Sequence, residues 1–191
     1  MSTRAYTVAF DGIEARGVEV QCALSAGMPA LAVVGLPDKA VSEARERVRA
    51  ALTSMGLALP SKRITINLSP ADLPKEGSHF DLPIALAILA AMEVIPADML
   101  ESAVALGELS LDGGLVAVTG TLPAAVHAAA HDRQLICPAP CGAEAAWVGD
   151  ADVLAPETLD AIVRHFNGRA ALHPAEARAI DSPARRQDLR D

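Results

Sequence analysis

Gly35-Leu36-Pro37-Asp38-Lys39-Ala40-Val41-Ser42-Glu43-Ala44-Arg45-Glu46-Arg47-Val48-Arg49 is the stretch on which the fold turns. The apolar run Pro29 to Leu36 reads as a buried strand, and the residues beyond it are charged and helical in spacing. Asp38 stands where a carboxylate accepts from the first free amides of a helix. Val41, Ala44, Val48, Ala51, Leu52 and Met55 then share one face, predicting a helix from Asp38 to about Met55. Gly56 supplies its stop. A strand feeding a helix in this way is the beginning of a layered fold of sheet and helix.

Working outward, Tyr6 to Leu24 alternates and is interrupted by Gly12 and Gly17, which predicts an early β-hairpin. Arg63 to Leu68 is a strand of alternating isoleucines, followed by a turn-rich loop from Ser69 to Ser78. Leu82 to Glu93 is apolar all round, so that helix belongs at the centre. Asp81 reads as its cap, with Pro83 tolerated in the first turn. Ala103 to Leu111 and Leu115 to Val118 read as a hairpin around Asp112-Gly113-Gly114. A helix over Leu122 to His131 comes next. Two short strands, Leu135 to Pro138 and Asp152 to Leu154, each lead into a helix (Ala143 to Val148, then Thr158 to Phe166). The order is α+β with a mixed sheet. After Gly168 the pattern fades, and Asp181 to Asp191 reads as an interdomain linker.

At 191 residues the chain suits one large domain with a tail. It is 51% hydrophobic and 3% aromatic, so its core is built from Ala, Val, Leu and Ile. Cys22, Cys137 and Cys141 are too few and too scattered for a disulfide framework. Met1 to Asp11 lacks the apolar run of a signal peptide, and Leu82 to Met92 is far short of a membrane span. A cytoplasmic protein is expected. The net charge of −8 is unevenly spread: Lys39 to Lys75 carries seven basic and three acidic residues, whereas Glu76 to Asp160 carries thirteen acidic residues and only Arg133. Phosphate contacts supply most non-specific nucleic-acid affinity, so a general nucleic-acid binder is disfavoured while a local basic face remains open.

The opening stretch carries a family resemblance together with Arg63-Ile64-Thr65-Ile66-Asn67-Leu68-Ser69-Pro70-Ala71-Asp72-Leu73-Pro74-Lys75-Glu76-Gly77 and Gly107-Glu108-Leu109-Ser110-Leu111-Asp112-Gly113. All three closely resemble the amino-terminal domain of the YifB/ComM family, bacterial magnesium-chelatase-like ATPases of the AAA+ class. The resemblance runs from about Tyr6 to about Gly168. It implies a Lon-protease-like, ribosomal-protein-like fold over residues 1–168, and a linker over 169–191 towards an AAA+ module outside this sequence. It further implies a hexameric motor, with ATP and Mg2+ bound by that module, acting as a DNA helicase in branch migration during natural transformation. Branched or single-stranded DNA would then be a partner, and no membrane is involved.

The chemistry within these residues is sparse. No G-x-x-x-x-G-K-[ST] occurs, so the backbone cradle and lysine of a phosphate loop are missing from this chain. Pro74-Lys75-Glu76-Gly77-Ser78-His79 resembles the Lon segment that carries the nucleophilic serine, but His79 occupies the serine's place and Ser78 is one position early. The matching position for the activating lysine falls at about Leu122, and no lysine follows Lys75. A serine without a base is a poor nucleophile, so the fold reads as catalytically degenerate. His127 and His131, with Cys137 and Cys141, have zinc-compatible side chains within fifteen residues. The competing reading is surface histidines with a strand-end cysteine and a capping one.

Arg45 and Arg49, one turn apart, with Lys62 and Arg63 form a candidate basic patch, to which Lys75 is added as a candidate DNA or subunit contact. A solvated helix face, a subunit interface and DNA contact are all open for it, and Glu43 with Arg47 suits the first. Two other roles remain open for the whole: a chelatase-like metal-insertion accessory, or a degenerate Lon-like domain that binds peptide in a dead cleft.

Overall fold

The computed structural model describes residues 2–178. β1 (Ser2–Asp11) and β2 (Glu14–Ser25) form the expected antiparallel hairpin, turning at Gly12, whose φ of +63° only glycine adopts readily. Gly17 does not interrupt it. It lies inside β2 opposite Val8, and the His127 ring sits 3.3 Å from where its Cβ would be. The glycine admits a ring; it does not break a strand.

β3 (Ala30–Val34) runs parallel to β4 (Arg63–Ser69), which is antiparallel to β2, giving the order β1-β2-β4-β3. The crossover is α1 (Lys39–Ser54), capped by Asp38, whose carboxylate accepts from the Val41 amide at 2.8 Å. Val41, Ala44, Val48, Ala51 and Leu52 are buried on its inner face, as the spacing predicts. β3 departs from expectation. Only Leu31 is buried in it, and Val34 is 46% exposed. The reason is packing: apart from its neighbour β4, β3 is packed chiefly against α1, so an apolar run that reads as buried on both sides is covered on one.

α2 (Asp81–Ala91) is the hub. Every residue from Asp81 to Ala90 is buried, because β1 and β2 cover one side and α1 packs on another. A second, parallel sheet of β5 (Ala103–Ala105), β8 (Gln134–Ile136) and β9 (Val153–Leu154) takes the order β5-β8-β9. The expected hairpin from Ala103 is therefore divided. Its first three residues join that sheet, and only β6 (Glu108–Leu109) and β7 (Leu115–Val116) pair as a hairpin. The division falls at Gly107, whose amide bonds to the His79 carbonyl and whose own carbonyl accepts from the Leu82 amide. Those two bonds draw the chain out of the sheet and onto the start of α2.

α3 (Thr121–Ala130), the single-turn α4 (Gly142–Ala145) and α5 (Leu159–Phe166) complete the structure. Thr158 caps α5 by accepting from the Ala161 amide at 3.1 Å. The fold is α+β with mixed pairing, as read from the sequence. Two cores result. The larger lies between the first sheet, α1 and α2, and the smaller holds Val104, Leu106, Ala124, Leu135 and Cys137. No helix among the described residues is long and apolar enough to cross a membrane. Residues 171–178 have no regular structure, and the Asp181–Asp191 segment read as a linker lies outside the described residues.

Two glycines test this geometry. Gly35, at φ +106°, lies so close to the Leu68 backbone that a Cβ would collide with that carbonyl, whereas Gly56, at φ +77°, faces open space. Gly56→Ala is expected to cost roughly 1–2 kcal/mol of left-handed strain. Gly35→Ala adds a steric clash of about 1–3 kcal/mol to similar strain. Urea unfolding of both variants checks the order.

Candidate functional site

The three stretches that carry the family resemblance, far apart in sequence, meet at the start of α2. Asp81 is completely buried. Its carboxylate accepts from Arg47 Nε at 2.6 Å and Nη2 at 3.0 Å, and from the Leu109 amide at 3.0 Å. Arg47 also donates to the Ala40 carbonyl at 2.9 Å, with Glu43 3.7 Å away. One carboxylate thus ties α1, α2 and β6 together. Burial pushes the Asp81 carboxyl above its ordinary value, opposed by the Arg47 guanidinium and the Leu109 amide. The hydrogen bond to Asp81 in turn raises Arg47. Asp81 is therefore no helix cap, because its oxygens are spent on tertiary partners. Likewise the Glu43–Arg47 pair is the weaker part of a buried network. A sequence signal for this existed: an acid leading an otherwise apolar buried helix needs a cationic partner.

Around this clasp the polar groups are already committed. Ser78 Oγ donates to Glu108 at 2.6 Å. His79 is buried, its Nε2 donating to the Val8 carbonyl at 2.7 Å, with the Phe80 ring centroid 4.3 Å away. Burial lowers its pKa, with the Val8 bond opposing. Leu122, at the position that would need the activating lysine, is 40% exposed on the outer face of α3. The Ser78 and His79 bonds, with the Arg47–Asp81 pair, hold the start of α2 to the chain segments around it.

Lys75 corrects an expectation. Its side chain is fully buried, and Nζ donates to the Gly35 carbonyl at 2.6 Å and to that of Pro70. Its backbone bonds to Leu36 and Asp38. Burial lowers its pKa. A buried ammonium closing a loop offers nothing to DNA or to a neighbouring subunit, so Lys75 leaves the patch. The other four are exposed. Arg49 and Lys62 line one hollow of about 280 Å³ with Leu59 and Pro60, and Arg63 opens β4 beside it. Arg45 does not line the hollow; its Nε donates to the Ser42 carbonyl at 3.0 Å. None of the four is in an ion pair among the described residues.

The histidine and cysteine residues are divided between two places. His127 and His131 stack at 4.2 Å beside a groove of about 850 Å³. Cys137 and Cys141 are buried in the smaller core, where burial pushes the Cys137 thiol up to about 12. Cys141 stands at the N-cap position of α4, as read from the sequence, but its side chain caps no helix amide and donates through Sγ to the Val118 carbonyl at 3.5 Å. No group of three His, Cys, Asp or Glu among the described residues is placed to hold a metal ion.

The family model for subunit ChlI of Mg-chelatase matches residues 18–140, which takes in all three converging stretches. The chain belongs to that Mg-chelatase ChlI family. It is 40% identical over 186 residues to the YifB protein of Salmonella typhimurium, covering 97% of this chain and 37% of the relative. With the competence protein ComM of Haemophilus influenzae it shares 43% identity over 167 residues, or 87% of this chain and 33% of that one. A Mycobacterium tuberculosis protein is 40% identical over 190 residues, 98% of this chain and 38% of its own. These relatives place it in the YifB/ComM branch, and it spans between a third and two fifths of their length.

The clasp has two measurable consequences. Arg47→Met leaves a buried carboxylate without its cation and is expected to cost about 3 kcal/mol. Adding Asp81→Asn removes the charge while keeping an acceptor for Leu109, so the double variant should unfold at higher urea than the single one. For His79 the folded pKa lies below the ordinary 6.5. Its contribution is fully present above about pH 6.5 and is lost as pH falls, because only the unfolded chain takes up the proton. Thermal unfolding between pH 7.5 and 5 should show this slope, and His79→Gln should flatten it.

Proposed function

We propose that this chain is the non-catalytic amino-terminal accessory domain of a YifB/ComM-type ATPase. It supports assembly of a hexameric ring, while a module outside these residues binds ATP and Mg2+ and hydrolyses the nucleotide. The observation that carries this reading is the commitment of Ser78, His79 and Lys75 to structural bonds at the place where a Lon-like peptidase would hold its machinery. Residues of these types that fasten segments of one domain together support a structural part. Its sequence also has no phosphate loop, so the motor chemistry is assigned elsewhere.

A second reading, contact with branched or single-stranded DNA, is favoured by Arg49 and Lys62 sharing a hollow with Arg63 alongside. The Haemophilus influenzae relative is named a competence protein. That name supports extending the reading to DNA handling in natural transformation, as a helicase driving branch migration.

The assembly reading expects full-length protein to sediment as a hexamer and to fall to smaller species when this domain is deleted. An unchanged hexamer would remove the proposed role. For DNA, affinity for a forked duplex should fall steeply with salt, and Arg45→Ala with Arg49→Ala should reduce the log–log slope by about 2, two phosphate contacts' worth. No change in slope sinks DNA contact by this patch.

A further inference from the structure

The first sheet has two ends of opposite character. β2 spans Glu14 to Ser25, roughly 35 Å at ~3.3 Å per residue. At the Ser25 end the register sets Arg63 against both Ser25 and Ala30. There Arg49 and Lys62 line the small hollow, and Met28 stands 86% exposed just before Pro29, which lines it too. At the Glu14 end, Ile13 at the hairpin tip is 93% exposed and Val126 on α3 is 54% exposed. The two line one hollow of about 370 Å³. It adjoins the large groove through Glu14 and His127, and Asp72 and Glu76 wall that groove. Arg16, its cation, pairs with Asp11 at 3.5 Å. Neither Arg49, Lys62 and Arg63 at one end nor Glu14, Asp72 and Glu76 at the other have an ion-pair partner among the described residues.

We propose that these ends meet between copies of this chain. The cationic end of one molecule docks on the acidic, apolar end of the next. A strand of this length keeps the ends apart within one molecule, so the complementarity is available only to a neighbour. Met28 on one side and Ile13 with Val126 on the other supply apolar area, and the opposed charges set register and orientation. Different surfaces meet in such a contact, so it repeats head to tail and closes into a ring when the rotation between copies allows. The inference rests on the assembly reading and names the surfaces that would carry it.

Reversing charge at each end tests it, by sedimentation of this chain over a concentration series. Lys62→Glu with Arg63→Glu makes both ends acidic, and Glu14→Lys with Glu76→Lys makes both basic. The unaltered chain should self-associate, more weakly at high salt. Each variant alone should associate at least tenfold more weakly, with an unchanged circular dichroism spectrum. A one-to-one mixture should recover association, since every contact between unlike variants is again between opposite charges. Association by the unaltered chain that ignores both variants, or a mixture that stays dispersed, overturns these surfaces and leaves the assembly reading standing. Variants that lose affinity for forked DNA while sedimenting like the unaltered chain also overturn the contact and assign the cationic end to DNA. A chain that stays monomeric throughout removes this contact, while the full-length hexamer measurement separately decides the assembly reading.

Discussion

The carboxylate of Asp81, completely buried at the head of an apolar helix, is the interaction on which the rest of the structure depends. A charge removed from water must find a cation and hydrogen-bond donors or it would not stay ionised. Its donors come from two distant places, Arg47 on α1 and the Leu109 amide on β6. Satisfying one carboxylate therefore fixes the crossover helix and the β6–β7 hairpin against the same end of α2. The bond pair at Gly107 then sets where the chain leaves the second sheet.

The same logic runs through the neighbouring groups. Lys75 closes the loop after β4 onto the end of β3, and His79 fastens the start of α2 to β1 through the Val8 carbonyl. Asp38 both caps α1 and accepts from the Gly77 amide at 3.3 Å. Residue types that serve as nucleophile, base and phosphate ligand elsewhere act here as fasteners. Ser78 Oγ is bonded to Glu108, His79 Nε2 to the Val8 carbonyl, and Lys75 Nζ to the Gly35 and Pro70 carbonyls. The surfaces of distinct charge lie at the two ends of the first sheet.

Those ends are separated because charge is segregated along the chain and the sheet then lays it out in space. From the basic stretch Lys39 to Lys75, Arg49 of α1, Lys62 and Arg63 at the head of β4 gather where β3 and β4 begin. Around the hairpin tip, Glu14 from β2 and the acids of the loop after β4 gather at the opposite end. A head-to-tail pairing of such bodies has direction, because different surfaces meet in it.

Sequence alone determined the local elements and the family. The buried face of α1, its Asp38 cap, the alternation of β4 and the uniformly apolar α2 are each set by neighbouring residues, so periodicity reads them. The missing phosphate loop was equally plain, being a contiguous motif. Tertiary structure alone decided which half of an apolar run is covered, where the Ala103 strand leaves its expected hairpin, and that Asp81 binds Arg47 instead of capping its helix. It also decided that Lys75 is buried while Arg49 and Lys62 share a hollow. These outcomes depend on partners distant in the chain. Burial and ion pairing are properties of what packs against a residue, and no local pattern specifies that.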